Sequence, residues 1–137
     1  MKHDDVVLVS SGDGRVHVQL PANMRIGDAY PLFEKVRQLA VDAGATDLLI
    51  DARAFKAKLN MMQRLQMILA FVAKLRSYRV AGVLSAETMD PQRLGETMAR
   101  NRGARVKVFT ALADAEAWLD GVELATRRSD SGSAPQI

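Results

Sequence analysis

The chain has 137 residues, of which 48% are apolar and 26% are charged, and it contains no cysteine. This length and composition predict one domain whose core is large enough to fold without disulfides or a structural metal. The lack of cysteine excludes disulfides and thiol chemistry and agrees with a reducing cytoplasm. The longest apolar stretch, Met67 to Ala73, is far short of the roughly 20 residues that span a bilayer, and residues 1–5 lack the apolar core of a signal peptide. We therefore expect a soluble, cytoplasmic protein.

Positive charge is concentrated in the middle of the chain. Residues 53–107 contain twelve Lys and Arg against three Asp and Glu, a net charge of +9, whereas the segments before and after each carry −3. This segregation favours a face that attracts an acidic protein, a phosphate or an anionic membrane surface. A solvated surface that maintains solubility is the alternative. Nucleic acid is not an expected partner, because the seven aromatic residues form no stacking set beside the arginines.

The first predicted elements are a β-hairpin and a helix. Residues 6–9 are apolar, residues 10–14 are rich in Ser, Gly and Asp, and residues 15–20 alternate between apolar and polar side chains. Alternation indicates a strand with one buried face, and the intervening composition is typical of a turn. A helix is then expected from Asp28, a capping residue, to Gly44, which ends it.

Three short apolar runs follow, each typical of a strand buried on both faces of a parallel sheet. They lie at residues 48–51, 80–84 and 106–109. Three more helices are expected, at residues 59–77, 90–103 and 111–120. Thr110 is the expected N-cap of the last helix, and Trp118 lies on its expected inner face. A strand, a crossover helix and a second strand form a βαβ unit, which makes the fold α/β.

The predicted element order is ββαβαβαβα within a single domain, residues 1–122. This order gives a mixed five-stranded sheet whose first two strands form an antiparallel hairpin. Residues 123–137 carry little that could be buried, so we expect a disordered tail there.

Several segments together carry a family resemblance. They are the hairpin, Leu-Leu-Ile-Asp at 48–51, Val-Ala-Gly-Val-Leu at 80–84, Val-Lys-Val-Phe-Thr at 106–110 and Ala-Asp-Ala-Glu-Ala-Trp-Leu at 113–119. In this order they resemble the STAS, or anti-sigma-factor-antagonist (SpoIIAA-like), family, most of all the stand-alone bacterial STAS/SEC14-like proteins of unknown function. The resemblance covers residues 6–121. It implies a SpoIIAA-like β/α superhelix and a role in protein interaction or small-ligand sensing rather than catalysis.

One segment departs from the family pattern. Phospho-regulated members carry an Asp-Ser-Ser-Gly-like loop after the third strand, with a serine that a kinase modifies. The matching stretch here is Lys58-Leu59-Asn60-Met61, which has no hydroxyl. The usual phosphoserine switch is therefore not expected in this chain.

The sequence provides no recognisable catalytic or metal site. His3 and His17, the two histidines, do not accompany a serine and an acid in a triad pattern, and two isolated histidines without cysteine make no familiar metal-ligand set. Asp51 ends a buried strand, as the phosphorylated aspartate of receiver domains does, but the acidic pair that receivers carry after their first strand is missing. We interpret Asp51 as a structural carboxylate that pairs with Arg53 or caps local amides. No enzyme activity, cofactor or metal is expected.

A first candidate binding site is the basic loop before the helix at 59–77. Arg53, Lys56 and Lys58 lie close to a helix N-terminus, where free amides favour anions. With Asn60, these residues could receive an acidic group from a protein partner or a small ligand. A merely solvated basic loop is the alternative.

A second candidate is a flank of the same helix. Its main apolar stripe, expected to pack on the sheet, consists of Met61, Leu65, Ile68, Val72 and Leu75. Met62 and Leu69 widen this stripe on one side, and Met67 and Phe71 widen it on the other, which gives more apolar surface than one sheet face needs. Unless neighbouring helices cover Met67 and Phe71, we expect these two residues to form a homodimer contact or an adaptable binding surface.

The sequence thus favours a non-enzymatic regulatory or protein-interaction module of STAS type that lacks the usual phosphoserine. The alternative is a carrier or sensor of a small apolar or anionic ligand, as SEC14-like kinship implies. The expected partners are accordingly a protein, a second copy of the chain, or a small ligand of one of these kinds.

Overall fold

A computed structural model describes residues 6–89 and 93–121, which form an α/β fold around one sheet. The sheet has five strands: β1 (Val7–Gly12), β2 (Arg15–Gln19), β3 (Asp47–Asp51), β4 (Arg79–Val83) and β5 (Arg105–Phe109). The strands lie side by side in chain order; β1 and β2 are antiparallel, and the other three pairs are parallel. The predicted mixed five-stranded sheet with its N-terminal hairpin is confirmed. The predicted tail at 123–137 lies outside the described residues.

Four α-helices connect or follow the strands. They are α1 (Ala29–Ala43), α2 (Met61–Leu75), α3 (Leu94–Asn101) and α4 (Leu112–Asp120). A short 3-10 turn, Ile26–Asp28, precedes α1. The predicted order of strands and helices is confirmed, although α2 begins two residues later than expected and α3 ends before Gly103.

The two faces of the sheet are covered by different helices. Leu48 and Ile50 of β3 belong to the core cluster that contains the buried residues of α1, α2 and α3. Leu49, between them, packs instead with Ala115 and Leu119 of α4. Since successive side chains of a strand point to opposite faces, α1 to α3 lie on one face and α4 on the other. The continuously apolar run at 48–51 is explained by this two-sided burial.

The hairpin turn is tighter than the sequence indicates. Ser10 and Ser11, predicted to lie in the turn, belong to β1, and the turn consists of Asp13 and Gly14. Both turn residues have positive φ, 56° and 80°, as a two-residue hairpin connection requires. The predicted position of the two serines is therefore wrong, because a two-residue turn leaves the rest of the segment free to pair.

The C-terminal ends predicted for α1 and α4 agree with the structure, whereas Asp28 precedes α1 without a side-chain cap hydrogen bond. Gly44 ends α1 in the left-handed conformation, as predicted. The Asn60 side chain accepts a hydrogen bond from the Gln63 amide at 2.8 Å, and the Gln63 side chain accepts one from the Asn60 amide at 3.0 Å, which forms a capping box. The prediction that Thr110 caps α4 is wrong: the N-cap is Ala111, with no side-chain cap. Of the helices in the described ranges, none has the length and apolar character needed to cross a membrane.

Candidate functional site

A cavity of about 580 Å³ lies between α2, α3 and the sheet. Its floor is formed by side chains of β3, β4 and β5 that point toward these helices, among them Ile50, Val80 and Val106. Its walls continue into the loops that follow β3 and β4, at the carboxyl ends of the parallel strands. Open α/β sheets commonly bind ligands at this edge, and the volume falls within the range of roughly 300 to 1,000 Å³ that is typical of small-molecule sites.

Gly82 creates part of this space. It lies in the middle of β4 on the cavity floor, where neighbouring strand positions carry larger side chains. An added Cβ would meet the Val108 Cγ1 atom at 3.6 Å, which is an ordinary van der Waals contact. A larger residue would therefore fit the strand but would occupy the cavity.

The roof of the cavity is formed by α2. Met67, Ile68 and Phe71 all line it, and the Phe71 ring meets the Phe33 ring edge-on with their centroids 5.8 Å apart. Met67 and Phe71 are partly buried and pack against the core. Of the two alternatives, the structure shows the one in which neighbouring elements cover these residues, because α2 is rotated so that this flank faces α1 and the sheet. A homodimer stays a prediction, but these two residues are not its exposed surface.

The outward surface of α2 carries other apolar residues. Met61 and Met62 are 59% and 62% exposed, and Leu69 is also exposed. Met61 was predicted to begin the inner stripe, which is wrong. Ile68 and Leu75 of that stripe are buried as predicted, while Leu65 and Val72 are half-buried. We call Met61, Met62 and Leu69 the outer α2 surface.

The cavity has one polar end and one apolar end. Its exposed lining residues all belong to the loops after β3 and β4 or to the residue before α3; they are Ala57, Lys58, Glu87 and Arg93. The opening therefore lies at this end. At the other end Leu20, Met24 and Phe33 close the cavity, and all three are buried.

Among the residues that the structure describes, two acids line the cavity, and each is paired with a cation. Glu87 forms an ion pair with Lys56, with 3.2 Å between the Glu87 Oε1 and Lys56 Nζ atoms. This pair joins the loop after β3 to the loop after β4 beside the opening. The Glu96 side chain is 6% exposed and lies 3.2 Å from the Arg93 Nη1 atom and 3.7 Å from the Arg100 Nη1 atom. Arg93 also donates a hydrogen bond to the Val108 carbonyl at 3.1 Å. The two acids are thus neutralised within the protein.

The predicted basic loop does not act as one cluster. Arg53 donates two side-chain hydrogen bonds to the Asp51 carboxylate, at 2.9 and 2.8 Å, and its amide donates a third at 3.0 Å. This confirms the predicted pairing of Asp51 with Arg53, and the bonded guanidinium holds the pKa of Asp51 below its ordinary value. Lys56 pairs with Glu87, whereas Lys58 lines the cavity and forms no ion pair within residues 6–89 or 93–121.

The structure thus divides the predicted site residues into three groups. Lys58, Met67 and Phe71 line the cavity; Arg53 and Lys56 form ion pairs beside it; Asn60 caps α2. Sequence reasoning missed Arg64, Glu87, Thr88 and Glu96, which also line the cavity. Glu96 could have been found from the sequence, since it lies three residues after Arg93 and four before Arg100, which is the spacing of helical ion pairs.

Within the described residues, no group of three or more His, Cys, Asp or Glu is placed to hold a metal ion.

Comparison with known proteins adds no identification. No family model matches the chain, and no curated protein matches it.

Proposed function

We propose that this protein is a non-enzymatic module that binds a small, largely apolar molecule in the cavity beneath α2, as a sensor or carrier. The observation that supports it is the cavity itself: about 580 Å³, lined mainly by apolar side chains and open at one end. Protein interiors are close-packed, and voids much larger than a water molecule are few. An apolar space of this size therefore favours a ligand over a packing defect.

The few polar groups agree with this proposal. Ligand sites are typically apolar with a small number of polar groups that orient the ligand. Here Lys58, Arg64 and Thr88 supply such groups, while Phe33 and Phe71 supply the apolar part. No nucleophile beside a paired base and acid occurs among these lining residues, so the arrangement favours binding over chemistry.

A cavity-filling substitution tests the proposal. Gly82→Leu should keep the fold, because Gly82 is a strand residue without positive φ and an added Cβ meets only an ordinary contact. An uncharged fluorescent probe, N-phenyl-1-naphthylamine, should bind the wild-type protein saturably and the Leu variant at least about tenfold more weakly, a difference of about 1.4 kcal/mol.

Gly82→Ala is the matched control, since it changes the same backbone position but adds only a methyl group. It should bind the probe almost as the wild-type protein does, and circular dichroism should show all three proteins folded. Equal binding by the folded Leu variant, or no saturable binding by the wild-type protein, would contradict a ligand site in the cavity.

Protein interaction is the second candidate function, and the outer α2 surface favours it. Met61, Met62 and Leu69 expose apolar area on one helix, and methionine adapts well to different partners. Because α2 also roofs the cavity, a bound ligand could alter this surface. Native mass spectrometry of freshly purified protein tests both functions, since it reports bound ligand and oligomeric state together; an unliganded monomer would support neither.

We further propose that the chain is a STAS-type domain of SpoIIAA-like topology that acts in the cytoplasm. Support comes from the sequential strand order, the N-terminal hairpin, and the placement of α1 to α3 on one face. The absence of a hydroxyl in Lys58-Leu59-Asn60-Met61 argues for regulation by a ligand rather than by a phosphoserine in this loop.

A further inference from the structure

The cavity combines an apolar interior with an opening lined by charged side chains. The lining residues deep in the cavity, such as Leu20, Met24 and Phe33, are buried and apolar. The charged lining residues lie in the loops after β3 and β4 and in the first turns of α2 and α3. A ligand that satisfies both ends must itself have one apolar and one polar end, because a buried polar group without a partner costs free energy.

The charges at the opening favour an anion. Lys58, Arg64 and Arg93 line the cavity against Glu87 and Glu96. Each of these acids is also paired with a cation that does not line the cavity, Lys56 or Arg100 respectively. Both acids are therefore already paired within the described residues, whereas Lys58 lines the opening and forms no ion pair among them.

We propose that the cavity takes a single-chain amphipathic anion, with its carboxylate or phosphate at Lys58 and Arg64 and its apolar chain beneath α2. This inference deepens the proposed function and rests on it. Lys58 is the residue best placed for the head group, since it is exposed, lines the opening and forms no ion pair within the described part of the chain. Arg64, one turn into α2, lies on the helix face that Ile68 and Phe71 extend into the cavity.

A set of ligands that share the same dodecyl chain but differ in their head group tests the preference of the cavity for an anion. Dodecanoate and dodecyl phosphate should displace the fluorescent probe at least about tenfold more effectively than dodecanol or dodecylammonium, all below their aggregation concentrations. Their advantage should shrink as salt concentration rises, because exposed charges are screened. Inorganic phosphate, which has no chain, should displace nothing.

The head-group residues are tested by substitution. Lys58→Gln with Arg64→Gln should weaken dodecanoate binding about tenfold and leave dodecanol binding unchanged. The control is Arg76→Gln with Lys107→Gln, which removes the same charge from residues that do not line the cavity and should leave both ligands unaffected. If the first double variant does not fold, the single variant Lys58→Gln is used instead, since Lys58 is exposed and forms no ion pair within the described residues.

The outcomes separate this inference from the proposed function. Equal binding of dodecanol and dodecanoate, or no effect of Lys58→Gln, would overturn the anion preference and leave the apolar site standing. Displacement by inorganic phosphate would indicate a surface anion site and would likewise overturn the inference. Failure of every chain compound and of the uncharged probe to bind would overturn the proposed function itself.

Discussion

Asp51 illustrates how this protein retains a buried charge at the end of a central strand. Its side chain is 5% exposed, yet it accepts three hydrogen bonds from Arg53, one of them from the backbone amide. Charge-assisted, bidentate hydrogen bonds compensate the loss of hydration that burial imposes.

The Asp51–Arg53 pair should make stability depend on pH. The pKa of Asp51 is lowered in the folded state, so the unfolded chain binds the proton at a higher pH than the folded chain does. The pair therefore contributes to the free energy of unfolding above the ordinary carboxyl pKa of about 4. This contribution is lost as the pH falls through the lower pKa that Asp51 has in the folded protein. Arg53→Ala should destabilise the protein at neutral pH in urea unfolding, and the difference from wild type should shrink in acid.

Arg76→Ala is the control for this measurement. Arg76 is exposed and has no carboxylate partner among the described ion pairs, so its removal should cost little at any pH. A difference between wild type and Arg53→Ala that is unchanged from neutral to acidic pH would show that the pair does not contribute through the Asp51 charge.

Trp118 anchors α4 to the sheet. Its ring packs at 6.0 Å from the Phe109 ring, and the Arg79 guanidinium lies over it at 5.2 Å. The residue is half-buried rather than fully buried. Trp118→Ala should therefore lower the free energy of unfolding by about 2 to 4 kcal/mol, which is below the largest losses measured when a buried aromatic side chain is truncated. Thermal or urea unfolding measures this cost; a loss under about 0.5 kcal/mol, typical of surface changes, would contradict the packing of α4 on this face.

Among the elements, α2 shows what helical periodicity can and cannot determine. The spacing of apolar residues correctly predicts a helix, and Ile68 and Leu75 are buried as expected. The sequence is apolar on both flanks of this stripe, so it does not determine which flank turns inward. That choice depends on the neighbours: α1 brings Phe33 against Phe71, and this leaves Met61 and Met62 exposed.

Paired substitutions test the orientation of α2. Met67→Gln with Phe71→Gln should lower the free energy of unfolding by more than about 3 kcal/mol, because both side chains pack against the core and glutamine leaves polar atoms there. Met62→Gln with Leu69→Gln should change it by less than about 1 kcal/mol, since both residues are exposed. Urea unfolding compares the two double variants. The reverse order would show that the opposite flank of α2 faces the core.

The strands were more predictable than the helix faces. Three apolar runs predicted β3, β4 and β5 because a strand buried on both faces needs apolar residues at every position. Thr110 failed as a cap because α4 begins one residue later, at Leu112 after Ala111. Which residue begins a helix depends on how the preceding strand ends, and a local pattern does not contain that information.

At the scale of the whole molecule, the cavity could not be predicted from the sequence. It arises where α2 and α3 meet three strands, and its volume depends in part on the missing side chain at Gly82. Lys58 is visible in the sequence as part of the basic loop before α2, but Arg64 is not, and only the fold places both beside the same cavity. The sequence shows that residues 53–107 are basic. Only the fold shows which of these cations form internal ion pairs and which line the opening.

The central claim is that an amphipathic anion occupies this cavity, and isoleucine methyl NMR tests it most directly. The chain has four isoleucines; Ile50 and Ile68 line the cavity, and Ile26 does not. Titration of dodecanoate into protein labelled at the isoleucine δ1-methyl groups should shift the Ile50 and Ile68 signals saturably and leave Ile26 in place. Unmoved Ile50 and Ile68 signals, or a shift confined to Ile26, would contradict the claim.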